Sequence, residues 1–285
     1  MAHEFIHVEE DGGVLVITMD DARTRNALGA EMSEEINQEL DRLETDPDLR
    51  VLVLTGKDPA FCSGANVRRF DQNIRDREQQ REQAASEPPP PSAWERMEAR
   101  WTPSVAQSDR SRFLPLRLYN LQKPSIAMVN GYAMGIGMGM SISCDIRIAS
   151  DKAGFSEAFI RNGLIPADGS CWQLPRMIGL GNTLLLQYLA DIIPAEEAYR
   201  IGLVNRVVPH DDLMSTTMEL AQRLAQGPTY SMSLIKWLVH KSIHSDLEES
   251  LRIASAAQAA ARETEDHKEG VRAFLEKRRP EFKGR

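Results

Sequence analysis

The sequence contains few cysteines, has no excess of positive charge and lacks a long uninterrupted apolar stretch. Cys62, Cys144 and Cys171 are widely spaced and odd in number, which argues against a disulfide framework and favours a reducing compartment. The 34 basic and 42 acidic residues give a net charge of −8, which argues against nucleic acid as a general partner. The most apolar stretch, residues 126–148, is interrupted by polar residues and glycines, so it is unlike a membrane span.

Residues 1–12 lack the basic segment and apolar run of a secretory signal. We therefore expect a cytoplasmic protein without a membrane segment. With 285 residues, the chain can bury a full core, as one large domain or as a core with an appendage.

Hydrophobic periodicity predicts alternating strands and helices. Strands are expected at 5–8 and Val14–Met19, around the hairpin signal Asp11-Gly12-Gly13, and a helix at 29–44 precedes a buried strand at 51–54. The same alternation of strand and helix recurs later, with strands at Ser125–Val129 and 146–149 on either side of a glycine-rich helix start. From residue 194 onward the pattern is helical, with helices expected at 195–202, 213–226, 230–244 and 247–263.

Two glycine-rich turns each follow a buried strand. The first is Ser63-Gly64-Ala65, and the second includes Gly135, Gly137 and Gly139 at every second position. Glycines let a backbone approach a ligand closely and leave N–H groups unshielded at a helix start, where negative charge is favoured. Two such turns could bind one thioester oxygen, although a glycine run alone also fits plain helix packing.

These turns belong to a series of short motifs that runs along nearly the whole chain. In order, the motifs are Arg25-Asn26-Ala27-Leu28, Gly56 with Phe61-Cys62-Ser63-Gly64-Ala65, Lys123-Pro124 with Asn130-Gly131-Tyr132-Ala133-Met134-Gly135, Cys144-Asp145, Gly163-Leu164-Ile165-Pro166, Leu174-Pro175-Arg176 with Gly179, Ala198 with Gly202-Leu203-Val204, and Phe274-Leu275-Glu276-Lys277-Arg278. With these motifs in family order, the sequence resembles the crotonase superfamily of enoyl-CoA hydratases and isomerases.

The resemblance implies an α/β fold, a crotonase-like spiral of ββα units over residues 1–210, followed by a C-terminal helical oligomerisation region at 211–285. It implies a homotrimer or a dimer of trimers, and an acyl-CoA thioester as substrate with no separate cofactor. The charged, proline-containing segment 68–111 is either a surface insertion or a lid that shapes the acyl site. No metal is expected, because His240 and His244 have helical spacing but no evident third ligand.

By resemblance, the oxyanion donors are the backbone amides of Ala65 and Ile136. The residues assigned to substrate and CoA binding are Arg25, Ser63, Gly64, Ala65, Asn66, Phe159, Trp172, Phe274 and Lys277. Asn66 stands where the family more often has aspartate, and Ile136 where it more often has glycine.

The sequence departs from family hydratases at both catalytic glutamates, whose positions are occupied by Gly139 and Phe159. Asp168 lies two residues after Pro166, whereas several isomerase and dehalogenase branches carry an aspartate one residue after that proline. Asp168 is either a base facing an apolar pocket lined by Phe159 and Trp172, or a cap for the following helix. Glu157, the other acid in reach, is expected to face solvent or a subunit contact, with a catalytic role as the alternative.

One carboxylate can move a proton between two carbons, whereas water addition is easier with two. Double-bond isomerisation of an enoyl-CoA with Asp168 as the acid–base group is therefore the first hypothesis, and hydration by a non-standard acid–base group is the second. The others are hydrolysis or dehalogenation through nucleophilic attack by Asp168, and CoA binding without catalysis.

Overall fold

A computed structural model of the chain describes residues 3–66, 75 and 112–285. Its strands form two sheets, and its helices pack on both faces of the larger one. The strands are β1 (Ile6–Asp11), β2 (Val14–Met19), β3 (Val51–Gly56), β4 (Ala60–Cys62), β5 (Ser125–Val129), β6 (Tyr132–Met134), β7 (Ile146–Ser150), β8 (Gly154–Ser156), β9 (Ile193–Pro194) and β10 (Arg206–Val208).

The helices in the described ranges are α1 (Ala30–Thr45), α2 (Leu114–Asn120), α3 (Ile136–Ser143), α4 (Ser170–Leu189), α5 (Ala195–Arg200), α6 (Leu213–Ala225), α7 (Thr229–Ser242), α8 (Leu247–Arg262) and α9 (Glu265–Glu276). A short 3-10 helix, Ala158–Asn162, follows β8. In this part of the chain, no helix is long and apolar enough to cross a membrane.

The two sheets are built by a repeated spiral. The larger sheet has the order β1-β2-β3-β5-β7-β10, and the smaller has the order β4-β6-β8-β9. Each of the pairs β3–β4, β5–β6 and β7–β8 adds one strand to each sheet before the chain moves on by one turn. Strands β4, β6 and β8 are parallel neighbours, so their carboxyl ends meet at one edge of the smaller sheet.

Both faces of the larger sheet are buried, and alternate residues of each strand contribute to the two faces. Val51 and Val53 of β3 contribute to a cluster with Leu213 and Ala221 of α6. Leu52 and Leu54 point to the opposite face, into the main core that α1 and the smaller sheet complete. Side chains of a strand alternate between faces, so a run of apolar residues is what a sheet covered on both sides requires.

These elements confirm the α/β fold class and most of the predicted segments. The predicted hairpin joins β1 and β2, with Asp11 paired to Val14, and Ser125–Val129 forms β5. The short strands of the smaller sheet were not predicted, whereas the helix expected at 247–263 matches α8 to within one residue. The predicted insertion at 68–111 lies outside the described residues, apart from Arg75.

Lys123 links the end of α1 to the start of the larger sheet. Its ammonium donates hydrogen bonds to the backbone carbonyls of Leu43, Asp46 and Leu49, at 2.6, 2.7 and 2.6 Å. The first two lie at the C-terminal end of α1, where carbonyls lack helical partners and a positive charge is favoured. One side chain therefore fixes the position of α1 relative to β3.

Replacing Lys123 by Met is expected to destabilise the protein by about 2 kcal/mol, because three part-buried carbonyls lose their donor. Thermal unfolding at fixed protein concentration measures the effect, with Lys152→Met, at an exposed lysine, as the matched control. Equal midpoints for the two variants would contradict this role of Lys123.

Candidate active site

Three segments of the chain meet where β4, β6 and β8 end. The turn Ser63-Gly64-Ala65 follows β4, the start of α3 follows β6, and Glu157 follows β8. Their closeness is visible at Gly137, where an added Cβ would lie 2.4 Å from the carbonyl oxygen of Cys62. The parallel register of the three strands therefore brings three separated sequence motifs to one edge.

The two predicted oxyanion donors lie on adjacent turns. Gly135, at φ 49° and ψ −121°, makes the sharp change of direction that begins α3, a conformation that favours glycine. Ile136 is the first residue of α3, so its N–H has no partner inside the helix. Within the described ranges, neither this N–H nor that of Ala65 has a hydrogen-bond acceptor. Both amides are therefore available to a ligand.

The first turn is held in place by residues 25–28. Leu28 N–H donates to the Gly64 carbonyl at 2.8 Å, and Ser63 N–H donates to the Arg25 carbonyl at 3.1 Å. The buried Asn26 amide donates to the carbonyls of Lys57 and Ala60, at 2.8 and 2.7 Å. Arg25 and Asn26 both have a positive φ, at 56° and 61°. The motif at 25–28 therefore supports the turn, through its backbone at Arg25 and Leu28 and through the side-chain amide of Asn26.

Asp168 occupies the space above Gly139. A Cβ added at position 139 would lie 2.1 Å from Asp168 Oδ2 and 2.7 Å from its carboxyl carbon. Gly139 lies three residues after Ile136, which is about one turn of α3. The Asp168 carboxylate thus approaches the helix backbone close to an oxyanion donor, and the approach is possible because residue 139 has no side chain.

Asp168 also contacts the start of α4, as expected for a residue that caps this helix. Its Oδ1 accepts a hydrogen bond from the Ser170 N–H at 3.1 Å. Its Oδ2 is buried and has no partner in the described part of the chain. One oxygen therefore anchors the carboxylate to the helix, and the other has no partner among the described residues.

Glu157 is fully buried beside Asp168, which corrects the prediction that it faces solvent or a subunit contact. It directly follows the buried strand β8, and its Oε2 accepts a hydrogen bond from the Ser170 hydroxyl at 2.8 Å. One clue to its burial was available in the sequence. Glu157 directly follows an apolar strand, as the two glycine-rich turns do. The partner, Ser170, lies 13 residues away and is not evident from the sequence.

Burial changes the acidity of both carboxyl groups. Desolvation is the largest cause that raises the pKa of Asp168, and hydrogen bonds from Ser170 oppose it. Desolvation, followed by the negative charge of Asp168, raises the pKa of Glu157 to about 8. Burial disfavours a charged carboxylate and a neighbouring like charge adds to that cost. The site therefore holds one carboxyl that ionises first and a second that keeps its proton near neutral pH.

A cavity of about 650 Å³ opens beside Asp168. It is bordered by Ala167, Asp168, Gly169 and Gln173 on one side and by aromatic and basic side chains of α2 and α7 on the other. Its volume is within the range of small-molecule sites.

Trp172 lines this cavity, in a cluster of aromatic side chains. It makes an edge contact with Tyr119, at 5.5 Å between ring centroids, and lies 5.4 Å from His244. His240 stacks on Tyr119 at 4.2 Å, so both histidines take part in ring packing.

Phe159 was considered as a lining residue of the same pocket as Trp172, and its assignment to substrate binding stays a prediction. Its ring lies against the second turn, about 3.7 Å from where a Cβ of Gly135 would be. The cavity next to Asp168 is lined by Trp172 but not, within the described ranges, by Phe159. The Phe159 ring therefore packs on the second turn, and the Trp172 ring lines the cavity.

Phe274 and Lys277 lie at the far end of α9 and are exposed; the Phe274 side chain is 83% exposed. The contacts of α9 include those with α8 and with the C-terminal residues, such as that between Gly270 and Phe282. These contacts do not join Phe274 or Lys277 to Arg25 or to the turn at 63–66. Their predicted contact with CoA stays a prediction.

Comparison with known proteins identifies the family. The chain matches the enoyl-CoA hydratase/isomerase family over residues 9–107 and 93–285. It is 33% identical to a crotonyl-CoA hydratase of Syntrophomonas wolfei and 33% identical to a 1,2-epoxyphenylacetyl-CoA isomerase of Escherichia coli, with 99% of each chain covered in both cases. It resembles the crystal structure of an enoyl-CoA hydratase subunit from Geobacillus kaustophilus, with a TM-score of 0.81, 31% identity and 99% of both chains covered.

The chain therefore belongs to the enoyl-CoA hydratase/isomerase family and has the crotonase fold. The names of its relatives include more hydratases than isomerases, and the choice between the two reactions is taken up below.

Replacing Gly139 by Ala is expected to lower kcat/KM for enoyl-CoA turnover by at least about 100-fold, because the new methyl group displaces the Asp168 carboxylate. Gly181→Ala is the matched control, since a Cβ there meets nothing within 4 Å. Thermal unfolding of both variants tests whether each is folded. Full turnover by a folded Gly139→Ala variant would show that the observed position of Asp168 is not needed.

Proposed function

We propose that this protein isomerises enoyl-CoA thioesters by moving the carbon–carbon double bond, with Asp168 as the acid–base group. The observation that carries the proposal is the Asp168 Oδ2 above Gly139, without a partner in the described part of the chain and about one helical turn from the Ile136 amide. The positions of both hydratase glutamates are filled by residues without a carboxyl group, Gly139 and Phe159.

In the proposed reaction, the amides of Ala65 and Ile136 donate hydrogen bonds to the thioester oxygen of a 3-enoyl-CoA. Asp168 takes a proton from the α-carbon, and the electron pair moves into a dienolate whose negative charge rests on that oxygen. Asp168 then returns the proton to the γ-carbon, which gives the 2-enoyl-CoA and restores the carboxylate. Each donor to a developing oxyanion contributes about 3 kcal/mol of transition-state stabilisation in enzymes of this kind of chemistry.

The CoA portion is proposed to bind along Arg25 and the backbone of residues 63–66, with Phe274 and Lys277 contributing from α9 of the same or a neighbouring subunit. The exposure of Phe274 and Leu275, 83% and 74%, supports a contact with a ligand or a second chain. A homotrimer, or a dimer of trimers, is the proposed assembly. In this proposal no separate cofactor takes part, since coenzyme A enters as part of the substrate.

Hydration is the second candidate, and one observation favours it. Glu157 gives the site a second buried carboxyl group next to Asp168, and addition of water generally uses a pair of such groups. The names of the relatives also favour hydration. Isomerisation is preferred because it is the Asp168 carboxylate that lies against Gly139, about one helical turn from the Ile136 amide.

The two reactions differ in the mass of the product. Incubation with 2-enoyl-, 3-enoyl- and cyclic dienoyl-CoA thioesters in deuterated water is expected to yield a product with a shifted double bond and no gain in mass apart from deuterium. A gain of one water would instead establish hydration. Mass spectrometry of the thioesters reads both outcomes in one experiment.

Asp168→Asn is expected to reduce turnover of the accepted thioester by about 10²–10⁴-fold, the usual contribution of a positioned acid–base group. Because asparagine preserves the shape and can still accept a hydrogen bond from Ser170 N–H, the variant is expected to fold. If it turned over every accepted substrate at the wild-type rate, Asp168 would not be the base.

A further inference from the structure

The hydroxyl and amide of Ser170 connect two buried carboxyl groups, and the proposed proton transfer uses only one of them. The hydroxyl donates to Glu157 Oε2 at 2.8 Å, and the amide donates to Asp168 Oδ1 at 3.1 Å. Glu157 follows β8, whereas Asp168 and Ser170 belong to the loop and first turn of α4. A single residue therefore joins carboxyl groups from two separate parts of the chain.

The surroundings of Glu157 favour its neutral form. The groups that act on it are the Asp168 carboxylate, which repels its charge, and the side chains of Ser170 and Gln187, which favour that charge. Among the described residues, the Cys171 thiol is a further titratable group nearby, and α3 contains no titratable side chain. In a buried pair of acids, a single shared negative charge costs far less than two.

We propose that Glu157 is a positioning residue, which holds one proton in the buried pair and, through Ser170, keeps Asp168 ionised and directed at the space above Gly139. The proposal rests on the proposed function, since Asp168 is taken as the base. It adds a second acid, outside the two family glutamate positions, that the reaction needs in its neutral form.

A proton on Glu157 has a consequence for catalysis. The pair then carries one negative charge, which the reaction passes to the substrate oxygen and back. When Glu157 ionises, a second negative charge faces the enolate that forms at Ala65 and Ile136, and the reaction slows. Since burial and the charge of Asp168 raise the pKa of Glu157 to about 8, the slowing is expected on the alkaline side of neutrality.

The test is the pH dependence of kcat/KM between about pH 6 and 9, with the thioester that the wild type accepts. For the wild type, kcat/KM is expected to fall by about tenfold between about pH 7 and pH 9, as Glu157 loses its proton. Glu157→Gln cannot ionise, so this fall is expected to disappear. The matched control, Glu219→Gln at an exposed glutamate of α6, is expected to keep the wild-type profile.

Ser170→Ala gives a second readout. Because Ser170 lowers the pKa of both carboxyl groups, its removal is expected to move the acidic and the alkaline limbs of the profile to higher pH. A merely structural role would lower the rate equally at every pH and leave both limbs in place. An alkaline fall that persists unchanged in Glu157→Gln would overturn the proposal.

Stability against pH separates this proposal from the proposed function, because it needs no turnover. A carboxyl whose folded pKa lies above its unfolded value of about 4.5 binds more protons when folded, so unfolding becomes easier as pH rises from about 4.5 to about 8. Glu157→Gln is expected to flatten this decline, and Glu219→Gln is not. If Glu157→Gln flattens the decline in stability but the protein has no isomerase activity, the buried acid pair is supported and the proposed reaction is rejected. If the stability curves of wild type and Glu157→Gln against pH are parallel, the buried acid pair itself is rejected.

Discussion

The close approach of the Asp168 carboxylate to the backbone of α3 is the contact around which the site is arranged. It requires that residue 139 has no side chain, since a Cβ there would lie 2.1 Å from Oδ2. It also requires an anchor, and the Ser170 N–H supplies one to Oδ1. With one oxygen bound and the other buried without a partner in the described part of the chain, the carboxylate is fixed in direction and only weakly solvated. Both properties favour its use as a base.

The spiral of strands brings the parts of this arrangement together. Because β4, β6 and β8 are parallel neighbours, the segments that follow them meet at one edge of the smaller sheet. Ala65, Ile136 and Glu157 lie on these three segments, although they are far apart in the sequence. The larger sheet, buried on both faces, gives this edge a rigid base. Precise placement of backbone donors depends on such rigid elements.

The sequence predicted the long elements and the two glycine turns, because apolar alternation and glycine spacing are local signals. Ser125–Val129 was predicted with its observed bounds. The three-residue strands of the smaller sheet are too short to show a period, so the edge they form could not be derived. Glu157 was predicted to face solvent or a subunit contact, because its partner Ser170 is distant in sequence and only the fold brings the two together. The ring contacts are likewise not evident from the sequence: Phe159 lies against Gly135, and Trp172 lines the cavity next to Asp168.

A crystal structure with an unreactive acyl-CoA analogue measures most directly whether a thioester oxygen binds at the amides of Ala65 and Ile136 with Asp168 beside the reacting carbons. The carbonyl oxygen of the analogue is expected to lie within about 3.1 Å of both amide nitrogens. Asp168 Oδ2 is expected to be the carboxylate oxygen nearest to the α-carbon. A thioester bound away from these amides, or with Asp168 turned from the α-carbon, would contradict this arrangement.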